Sequence, residues 1–290
     1  MNGRQQRVKL YDVQSEWVPV KKGVPQGSVL GPYLFNIFIN DLYYVLNKCD
    51  MYNWADDNTL SYHNPDFDQF KASIESDARN TIDWFDNNDM QANPCKFQGV
   101  GFGNTSDILI NFNVNDIVVE CNEYVKLLGV TFDTKLKFDK HIDNICNKAS
   151  RQINALARLS RKLDYESKIA IFNSFIKSNF NYCPLVWMCC DKRNVDRIEK
   201  LQCRALRFVC NDFVSNYECL LDRCGMKPLH VERLQKLALK VFKCVHKICP
   251  SYMNDMFEVM DLQYDLRDPY PVREKPSKTI TYRVTDHFPI

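Results

Sequence analysis

Apolar residues recur at helical spacing along several segments of the chain. In residues 67–85 they follow one another at steps of three and four, which predicts an amphipathic helix. A shorter apolar run, Tyr33–Leu42, follows a loop rich in glycine and proline and predicts a buried helix that ends near Asn47. The helical periodicity predicts four further helices, at 142–162, 165–180, 195–209 and 231–248.

Strand patterns are confined to the part of the chain before residue 139. A strand pair is predicted within residues 4–21, with a turn at 12–16. A β-hairpin is predicted at Asp50–Tyr62, because aromatic and β-favouring residues flank a central Asp56-Asp57-Asn58. Other strands are predicted at 97–102, at 108–110 paired with 117–119, and at 124–133 with Gly129 inside. The fold class is therefore predicted to be α+β, with an all-helical region after residue 139.

The loop Gly23–Pro32 contains three glycines and two prolines. These residues fix special backbone angles, and a glycine lets another molecule approach the chain closely. Ser28 is predicted to cap the helix that follows. The free amides of a first helical turn can bind an anion, so the loop is a candidate anion site; a plain turn is the alternative.

Composition limits the class of protein. The formal net charge is +2, so a nucleic-acid site has to be a local basic patch rather than the whole surface. No apolar segment follows the charged N-terminus, so no signal peptide is expected. The apolar stretch 29–46 is interrupted by Asn36, Asn40 and Asp41, so no transmembrane segment is expected either. We expect a cytoplasmic or nuclear protein with no membrane partner.

Thirteen cysteines are consistent with reduced thiols in such a compartment. Nine of them lie after residue 180, with His230 and His246 nearby. Their spacing lacks the close cysteine pair that is typical of zinc sites. Buried free thiols that act as small apolar side chains are the main interpretation, and a zinc site is the alternative.

Asp56 and Asp57 are the first candidates for chemistry. Two adjacent carboxylates at a hairpin tip either remain in solvent or bind a cation. Mg²⁺ prefers oxygen ligands and usually takes one or two carboxylates together with substrate phosphates. Carboxylates of this kind also hold the ions of two-metal phosphoryl transfer. A solvated turn remains the alternative.

The glycine-rich loop and this hairpin form a joint pattern, in which a loop opens an apolar helix and an aromatic-Ala-Asp-Asp turn follows. In this pattern the chain resembles the reverse transcriptase of non-LTR (LINE-like) retrotransposons. The resemblance extends from about residue 5 to residue 267. It is carried by Gly23–Pro32 with Leu34–Leu42, Trp54-Ala55-Asp56-Asp57, Trp84, Asn93-Pro94-Cys95-Lys96, Val125–Val130 with Asp133 and His141-Ile142, Pro184–Trp187 and Ile198–Arg207.

The resemblance implies a partial right-hand polymerase palm at 1–138, thumb-like helices at 139–182 and a helical C-terminal extension at 183–260. The tail at 261–290 is rich in proline and lacks helical periodicity, so it is predicted to be extended or disordered. It implies RNA-directed DNA polymerisation, with Mg²⁺ as cofactor and an RNA template, a DNA primer and dNTPs as partners. Asp56 would be the main metal ligand and Asp57 its partner.

Other roles are implied in the same way. Lys96 would help pyrophosphate to leave, and a solvated lysine is its alternative. Leu128 and Gly129 would press on the primer end as a primer grip. The nucleotide and template would lie against Pro25, Gln26, Gly27 and Ser28. The duplex backbone would be held by Lys148, Arg151, Arg158, Arg161 and Lys162, for which an ordinary solvated helix surface is the alternative.

The chain departs from the family pattern in two places. Trp54 stands where Tyr or Phe is usual. The family's first palm carboxylate lies upstream of the Gly/Pro loop, on a strand that reads roughly Asp-apolar-x-Lys-Ala-Phe-Asp, and these 290 residues contain no such block. We therefore expect a truncated internal piece that is inactive alone.

Two alternatives remain open at this point. The chain could be a non-catalytic nucleic-acid-binding remnant that uses the thumb helices. It could also lack a cellular role and fold poorly, because the missing strand would leave an unpaired sheet edge.

Overall fold

The computed structural model describes residues 3–25, 27–103, 110–254, 257–259, 272–274 and 284–289. Within these residues the chain combines helices with short antiparallel strand pairs, so the α+β class is confirmed. The strands are β1 Gln5–Gln6, β2 Lys9–Leu10, β3 Val13–Gln14, β4 Val18–Pro19, β5 Asp50–Trp54, β6 Asp57–Tyr62, β7 Asn111–Val114, β8 Ile117–Glu120, β9 Tyr124–Leu127, β10 Val130–Asp133, β11 Phe257–Val259, β12 Val272–Glu274 and β13 Val284–Pro289.

Helices account for most of the remaining described elements. The α-helices are α1 Gly31–Ile39, α2 Phe67–Asn87, α3 Asp139–Leu159, α4 Tyr165–Ile171, α5 Ser178–Asn181, α6 Pro184–Trp187, α7 Lys192–Cys210, α8 Tyr217–Cys224, α9 Leu229–Val245 and α10 Ser251–Asn254. Short 3-10 segments at Asn40–Val45 and Pro94–Lys96 and a π-helical segment at Phe172–Lys177 complete the list.

The chain divides into two compact units. The first comprises Met1–Gly99, Leu109–Cys121 and Tyr282–Ile290, and the second comprises Val100–Ile108 and Asn122–Thr281. The pair β9–β10 thus belongs to the helical second unit. The four-part division expected from the sequence stays a prediction.

The first unit is organised around α2, whose apolar positions recur at the predicted helical spacing. Its residues Phe70, Ile74 and Ala78 are fully buried and pack with Leu60 of β6 and Phe112 of β7. A second cluster joins Ile39 and Leu42 to Trp84 and Phe85 at the far end of α2. The helix predicted at 67–85 is confirmed, and Asp66 caps it through the amides of Asp68 and Gln69.

Several sequence predictions for the first unit are wrong in detail. Residues 97–102 form isolated bridges, such as that between Gly99 and Cys121, rather than a strand. Residues 108 and 109 of the strand predicted at 108–110 lie outside the described residues, and β7 begins at Asn111 and pairs with β8, the strand predicted at 117–119. The turn predicted at 12–16 is at residues 11–12, between β2 and β3.

The prediction of a buried helix after the Gly/Pro loop is also wrong. Only Gly31 and Ile39 of α1 are buried, whereas Tyr33, Ile37 and Phe38 are exposed. The apolar run covers most of the helix circumference, but the contact with Trp84 and Phe85 covers one side. The outer side of α1 is therefore an exposed apolar face.

The β5–β6 hairpin is confirmed, with β5 and β6 antiparallel and Trp54 opposite Asp57. The other edge of β6 pairs with β13, from Tyr62 opposite Val284 to Asp57 opposite Pro289. A strand from late in the chain thus covers the β6 side of the hairpin, and β5 is the other edge of this three-stranded sheet. The expectation of an unpaired edge where a further strand belongs stays a prediction. Most of the tail predicted at 261–290 lies outside the described residues, and its described parts are strands β12 and β13.

The second unit has one continuous core beneath α3, the 165–181 helical run and α7. Its fully buried side chains include Ile142, Phe172, Trp187 and Ile198. The helices predicted at 142–162, 165–180, 195–209 and 231–248 are confirmed within a few residues, as α3, the run from α4 to α5, α7 and α9. The outer face of α9 leaves Leu234, Leu237 and Phe242 exposed.

Candidate functional site

The loop that precedes α1 is held against the helix by a small contact. The amide of Gly31 donates to Oγ of Ser28 at 3.0 Å. A Cβ added to Gly31 would meet that oxygen at 2.9 Å, so a side chain there would displace the Ser28 hydroxyl. The helix cap itself is Leu30, which makes no side-chain cap, so the predicted capping position of Ser28 is wrong by two residues.

Of the other loop residues, Gly27 has a φ of +79° and is exposed, and Pro25 is exposed beside it. A positive φ of this size is adopted readily by glycine and rarely by other residues. Gln26 lies outside the described residues. The structure thus gives a backbone reason for Gly27, while the nucleotide-facing role of the loop stays a prediction.

Asp56 and Asp57 lie at the tip of the β5–β6 hairpin. Asp56 is in the two-residue turn and exposed, and Asp57 is the first, half-buried residue of β6. The turn is oriented by the amide side chain of Asn58, which donates to the carbonyl of Asp56 at 3.2 Å. Ala55 has a φ of 55°, a left-handed conformation that is uncommon for a residue with a side chain. The tip therefore presents two carboxylates from a locally constrained turn.

Asp56 and Asp57 are the residues that would hold the Mg²⁺ implied by the resemblance to reverse transcriptases. Across the described ranges, no cluster of three or more His, Cys, Asp or Glu side chains could hold a metal ion. Two neighbouring carboxylates can bind one cation together with substrate oxygens, but a two-metal site needs ligands from a second strand. The described residues do not form that complete site. Asp56 and Asp57 are its possible first half.

An open cleft of about 460 Å³ lies between the helical run after the Gly/Pro loop and the hairpin. Its polar lining includes Asn36, Asn40, Tyr43 and Asn53, and it reaches Ala55 at the hairpin tip. The sequence analysis noted Asn36 and Asn40 only as interruptions of an apolar run. Their separation of four residues places both on one helix face, which was the signal that could have identified them.

The start of β5 is fixed by a buried carboxylate on α2. Asp77 accepts hydrogen bonds from the amides of Asn47 at 3.0 Å, Lys48 at 2.8 Å and Cys49 at 2.7 Å. Burial favours a higher pKa for Asp77, but these backbone hydrogen bonds outweigh it and lower the pKa below its ordinary value. Asp77 thus ties the central helix to the strand that leads to Asp56.

Lys96 lies in the 3-10 turn Pro94–Lys96, and its side chain is exposed. The side chain of Asn93 caps this turn by accepting from the amide of Cys95 at 3.1 Å. The turn predicted at Asn93-Pro94 is confirmed, whereas the proposed contact of Lys96 with pyrophosphate stays a prediction.

In the second unit, Leu128 and Gly129 form the two-residue turn between β9 and β10. Both have positive φ, 45° for Leu128 and 85° for Gly129. Tyr182 donates its hydroxyl proton to the carbonyl of Leu128 at 2.5 Å. No local sequence pattern points to Tyr182, because this contact joins residues 54 positions apart.

A cleft of about 600 Å³ lies beside this turn within the second unit. Its lining includes Gly129, Lys148, Arg151 and Tyr182, so it joins one predicted primer-grip residue to two predicted backbone contacts. Arg158 is exposed near the end of α3 and does not line the cleft. Arg161 and Lys162 lie in the turn after α3 rather than on the helix where they were predicted.

The basic residues are available for a ligand. Within the described part of the chain, no carboxylate forms a salt bridge with any of the five. They are Lys148, Arg151, Arg158, Arg161 and Lys162, and all are exposed.

The cysteines of the second unit are free thiols in several environments. Cys190 and Cys244 are buried, whereas Cys183, Cys189 and Cys219 are exposed. Buried thiols acting as small apolar side chains therefore describe part of the set. Among the helices that the structure describes, none has the length and hydropathy to cross a membrane.

Comparisons with known proteins relate the sequence of this chain to reverse transcriptases. Residues 5–132 match the sequence model of the family Reverse transcriptase (RNA-dependent DNA polymerase). No solved structure matches the chain.

Two curated relatives come from Drosophila melanogaster. One is the "RNA-directed DNA polymerase from mobile element jockey", which is 26% identical over 199 residues, or 65% of this chain and 22% of the relative. The other is the "Probable RNA-directed DNA polymerase from transposon X-element", 26% identical over 226 residues, or 74% of this chain and 25% of the relative. The chain thus matches about a quarter of the length of these relatives.

Proposed function

We propose that this chain takes part in RNA-directed DNA synthesis. The proposal rests on the match of residues 5–132 to the reverse transcriptase family and on the similarity of the chain to the RNA-directed DNA polymerases of non-LTR retrotransposons. In this proposal residues 1–138 are a partial palm, and the helices of residues 139–182 are the thumb. The substrates are an RNA template, a DNA primer and dNTPs, in the cytoplasm or nucleus.

The observation that carries the proposal is the hairpin tip. Asp56 and Asp57 are presented by a two-residue turn at the end of paired strands, beside a polar cleft that reaches Ala55. Side chains that hold metal ions must be placed by rigid elements, and a hairpin anchored on the α2 core provides such a support. When bound, a divalent ion would supply charge stabilisation at the reacting phosphate.

The chain's own residues would divide the remaining tasks. Gly27 and its neighbours Pro25, Gln26 and Ser28 would face the nucleotide and template. Leu128 and Gly129 would contact the primer end, and Lys96 would assist the departure of pyrophosphate. Neutralisation of backbone phosphates would fall to the exposed cations on and after α3.

We further propose that the 290 residues do not polymerise by themselves. They supply the two hairpin carboxylates, and the described residues offer no cluster of three acidic or other metal-binding groups. Since polymerase catalysis depends on positioning and on charge stabilisation by the ions, an incomplete ligand set lowers the rate by orders of magnitude.

Primer extension tests this proposal. The purified chain, Mg²⁺, dNTPs and a primed RNA template are expected to give no incorporation above background. A jockey-type enzyme of full length serves as the positive control. Incorporation by the wild-type chain that disappears in Asp56→Ala would refute the predicted inactivity and show that the hairpin carboxylates suffice.

The alternative is a non-catalytic nucleic-acid-binding protein. It is favoured by the five exposed cations on and after α3, none of which forms a salt bridge among the described residues. Both proposals predict binding to a nucleic-acid duplex, but only the first assigns a role to the carboxylates of the hairpin tip. Fusing an upstream strand of the form Asp-apolar-x-Lys-Ala-Phe-Asp to the chain would give Mg²⁺-dependent incorporation under the first proposal and would have no effect under the second.

A further inference from the structure

The turn between β9 and β10 is attached to the helices of its own unit at two points. The hydroxyl of Tyr182 donates to the carbonyl of Leu128 at 2.5 Å, at the tip of the turn. On β10, the amide of Thr131 donates to Nδ1 of His141 on α3 at 3.3 Å. The tip and one flanking strand are therefore fixed separately.

Tyr182 also supports the turn from below. A Cβ added to Gly129 would lie 3.3 Å from a ring carbon of Tyr182 and 3.6 Å from its hydroxyl oxygen. Glycine at this position thus lets the turn lie directly on the tyrosine ring. The ring therefore limits how closely Gly129 can approach, and the hydrogen bond from the hydroxyl holds the carbonyl of Leu128 in place.

Tyr182 is itself held by the core. It lies between α5 and α6, where Cys183 has a φ of 43° and interrupts the helical run. The indole nitrogen of Trp187, a fully buried residue, donates to the carbonyl of Tyr182 at 3.0 Å. The pKa of Tyr182 is raised, chiefly by loss of solvation, so the hydroxyl keeps its proton and remains a donor.

The supported turn has a backbone that needs support. Leu128 has a φ of 45°, a left-handed conformation that is unfavourable for a residue with a side chain. Such conformations persist where the surrounding contacts determine them, and they cluster at functional sites. The hydrogen bond from Tyr182 acts on the carbonyl of this same residue.

The turn borders a basic cleft. Gly129 and Tyr182 line it together with Lys148 and Arg151, and both cations are exposed. The amide side chain of Asn179 also lines the cleft and donates to Gln152 at 2.7 Å, so part of the wall is fixed by side-chain hydrogen bonds. A strand whose phosphates meet these cations would pass beside the Leu128-Gly129 turn.

We propose that Tyr182 is a positioning residue that sets the Leu128-Gly129 turn against the end of a bound primer strand. In this role it acts on the primer end through the turn that it holds. This inference rests on the proposed primer-grip function of the turn.

The test compares two duplexes of the same length and sequence by fluorescence anisotropy. One has a recessed DNA primer end on an RNA template, and the other is continuous. The wild-type chain is expected to bind the recessed duplex more tightly. In Tyr182→Phe this preference falls about 3- to 10-fold, the effect of one hydrogen bond, while affinity for the continuous duplex is unchanged.

Two further variants and one further measurement sharpen the result. Tyr252→Phe removes an exposed hydroxyl of the same unit and should leave the preference intact. Gly129→Ala pushes on the Tyr182 ring from the other side and should reduce the preference even if Tyr182→Phe is unstable. Amide hydrogen exchange at residues 127–131 should rise in Tyr182→Phe and not in Tyr252→Phe.

The possible outcomes distinguish the role of Tyr182 from the primer-grip function of the turn. A preference for the recessed end that Tyr182→Phe retains would overturn the role of Tyr182 alone. An equal loss of affinity for both duplexes would also overturn it, since that is the effect of a general structural defect. A wild-type chain without any preference would overturn the primer-grip function itself, and the role of Tyr182 with it.

Discussion

Two hairpin tips, one in each unit, place residues with side chains in left-handed backbone. Ala55 has a φ of 55° beside Asp56, and Leu128 has a φ of 45° beside Gly129. Such a conformation is costly for residues other than glycine, and at functional sites it is retained because the geometry has a use. At both tips the residue in this conformation directly precedes a predicted site residue.

Ala55→Gly tests the strain at the first tip. Glycine relieves the left-handed penalty of about 1–2 kcal/mol but adds about 0.4–1 kcal/mol of unfolded-state entropy. We expect the free energy of unfolding, measured by urea denaturation, to stay the same or to rise by about 1 kcal/mol.

The matched control is Ala78→Gly, in the buried middle of α2. There the same substitution should lower the free energy of unfolding by about 1–2 kcal/mol, because glycine weakens helices and a packed methyl group is lost. A loss of equal size at Ala55 would mean that its turn is not strained.

At the scale of elements, α2 is the scaffold on which the first candidate site is built. It buries Phe70 and Ile74 against the strands and anchors the start of β5 through Asp77. Position 77 therefore connects core packing to the placement of the Asp56-Asp57 tip.

Asp77→Asn tests this connection. An asparagine cannot accept from three backbone amides as a carboxylate does, so we expect the free energy of unfolding to fall by about 2–3 kcal/mol. Asp83→Asn, an exposed position of the same helix, should change it little. An equally small effect at both positions would contradict the anchoring role.

The same carboxylate predicts a pH dependence. Because the pKa of Asp77 is lower in the folded chain than its ordinary value of 3.8, the unfolded chain binds the proton first. The stabilisation is complete above the unfolded pKa and is lost as the pH falls through the folded value. In Asp77→Asn the decline of stability below about pH 4 should be shallower.

Sequence patterns predicted the long elements and missed the contacts between them. The period of three and four residues located α2 and α3, because a long amphipathic helix repeats its signal over many turns. Residues 97–102 do not form the predicted strand, because short apolar runs carry little information on secondary structure or register.

The candidate site residues also differ in whether a local sequence pattern could identify them. Asp56 and Asp57 were found because a hairpin turn is local in sequence. Tyr182 could not be found, because its partner Leu128 is 54 residues away and no local pattern connects them. The exposed side of α1 was also mispredicted, since an apolar run does not reveal how much of it a neighbour will cover.

For the whole molecule, charge and its placement decide what binding to nucleic acid can look like. The net charge of +2 gives no general attraction to a phosphate backbone. Five exposed cations lie on and just after α3, without a salt-bridge partner among the described residues. Binding should therefore depend on this one patch.

Replacing Arg151, Arg158 and Arg161 with alanine tests the patch. Each phosphate contact contributes about 0.9 to the slope of log affinity against log salt concentration, so the slope should fall by about 2–3. Alanine at Arg79, Arg193 and Lys200, which are exposed elsewhere, removes the same charge and should leave the slope nearly unchanged. Equal losses in both triple variants would show that net charge, not the patch, controls binding.

The exposed apolar faces of α1 and α9 have a practical consequence for the behaviour of the protein in solution. Tyr33 and Ile37 on one helix and Leu234 and Phe242 on the other remain in contact with water. With an isoelectric point near 7.9, molecules at mildly alkaline pH carry almost no charge to repel one another. Exposed apolar faces without charge repulsion favour precipitation, so colloidal stability should be lowest near pH 8 and improve as the pH moves away from the isoelectric point.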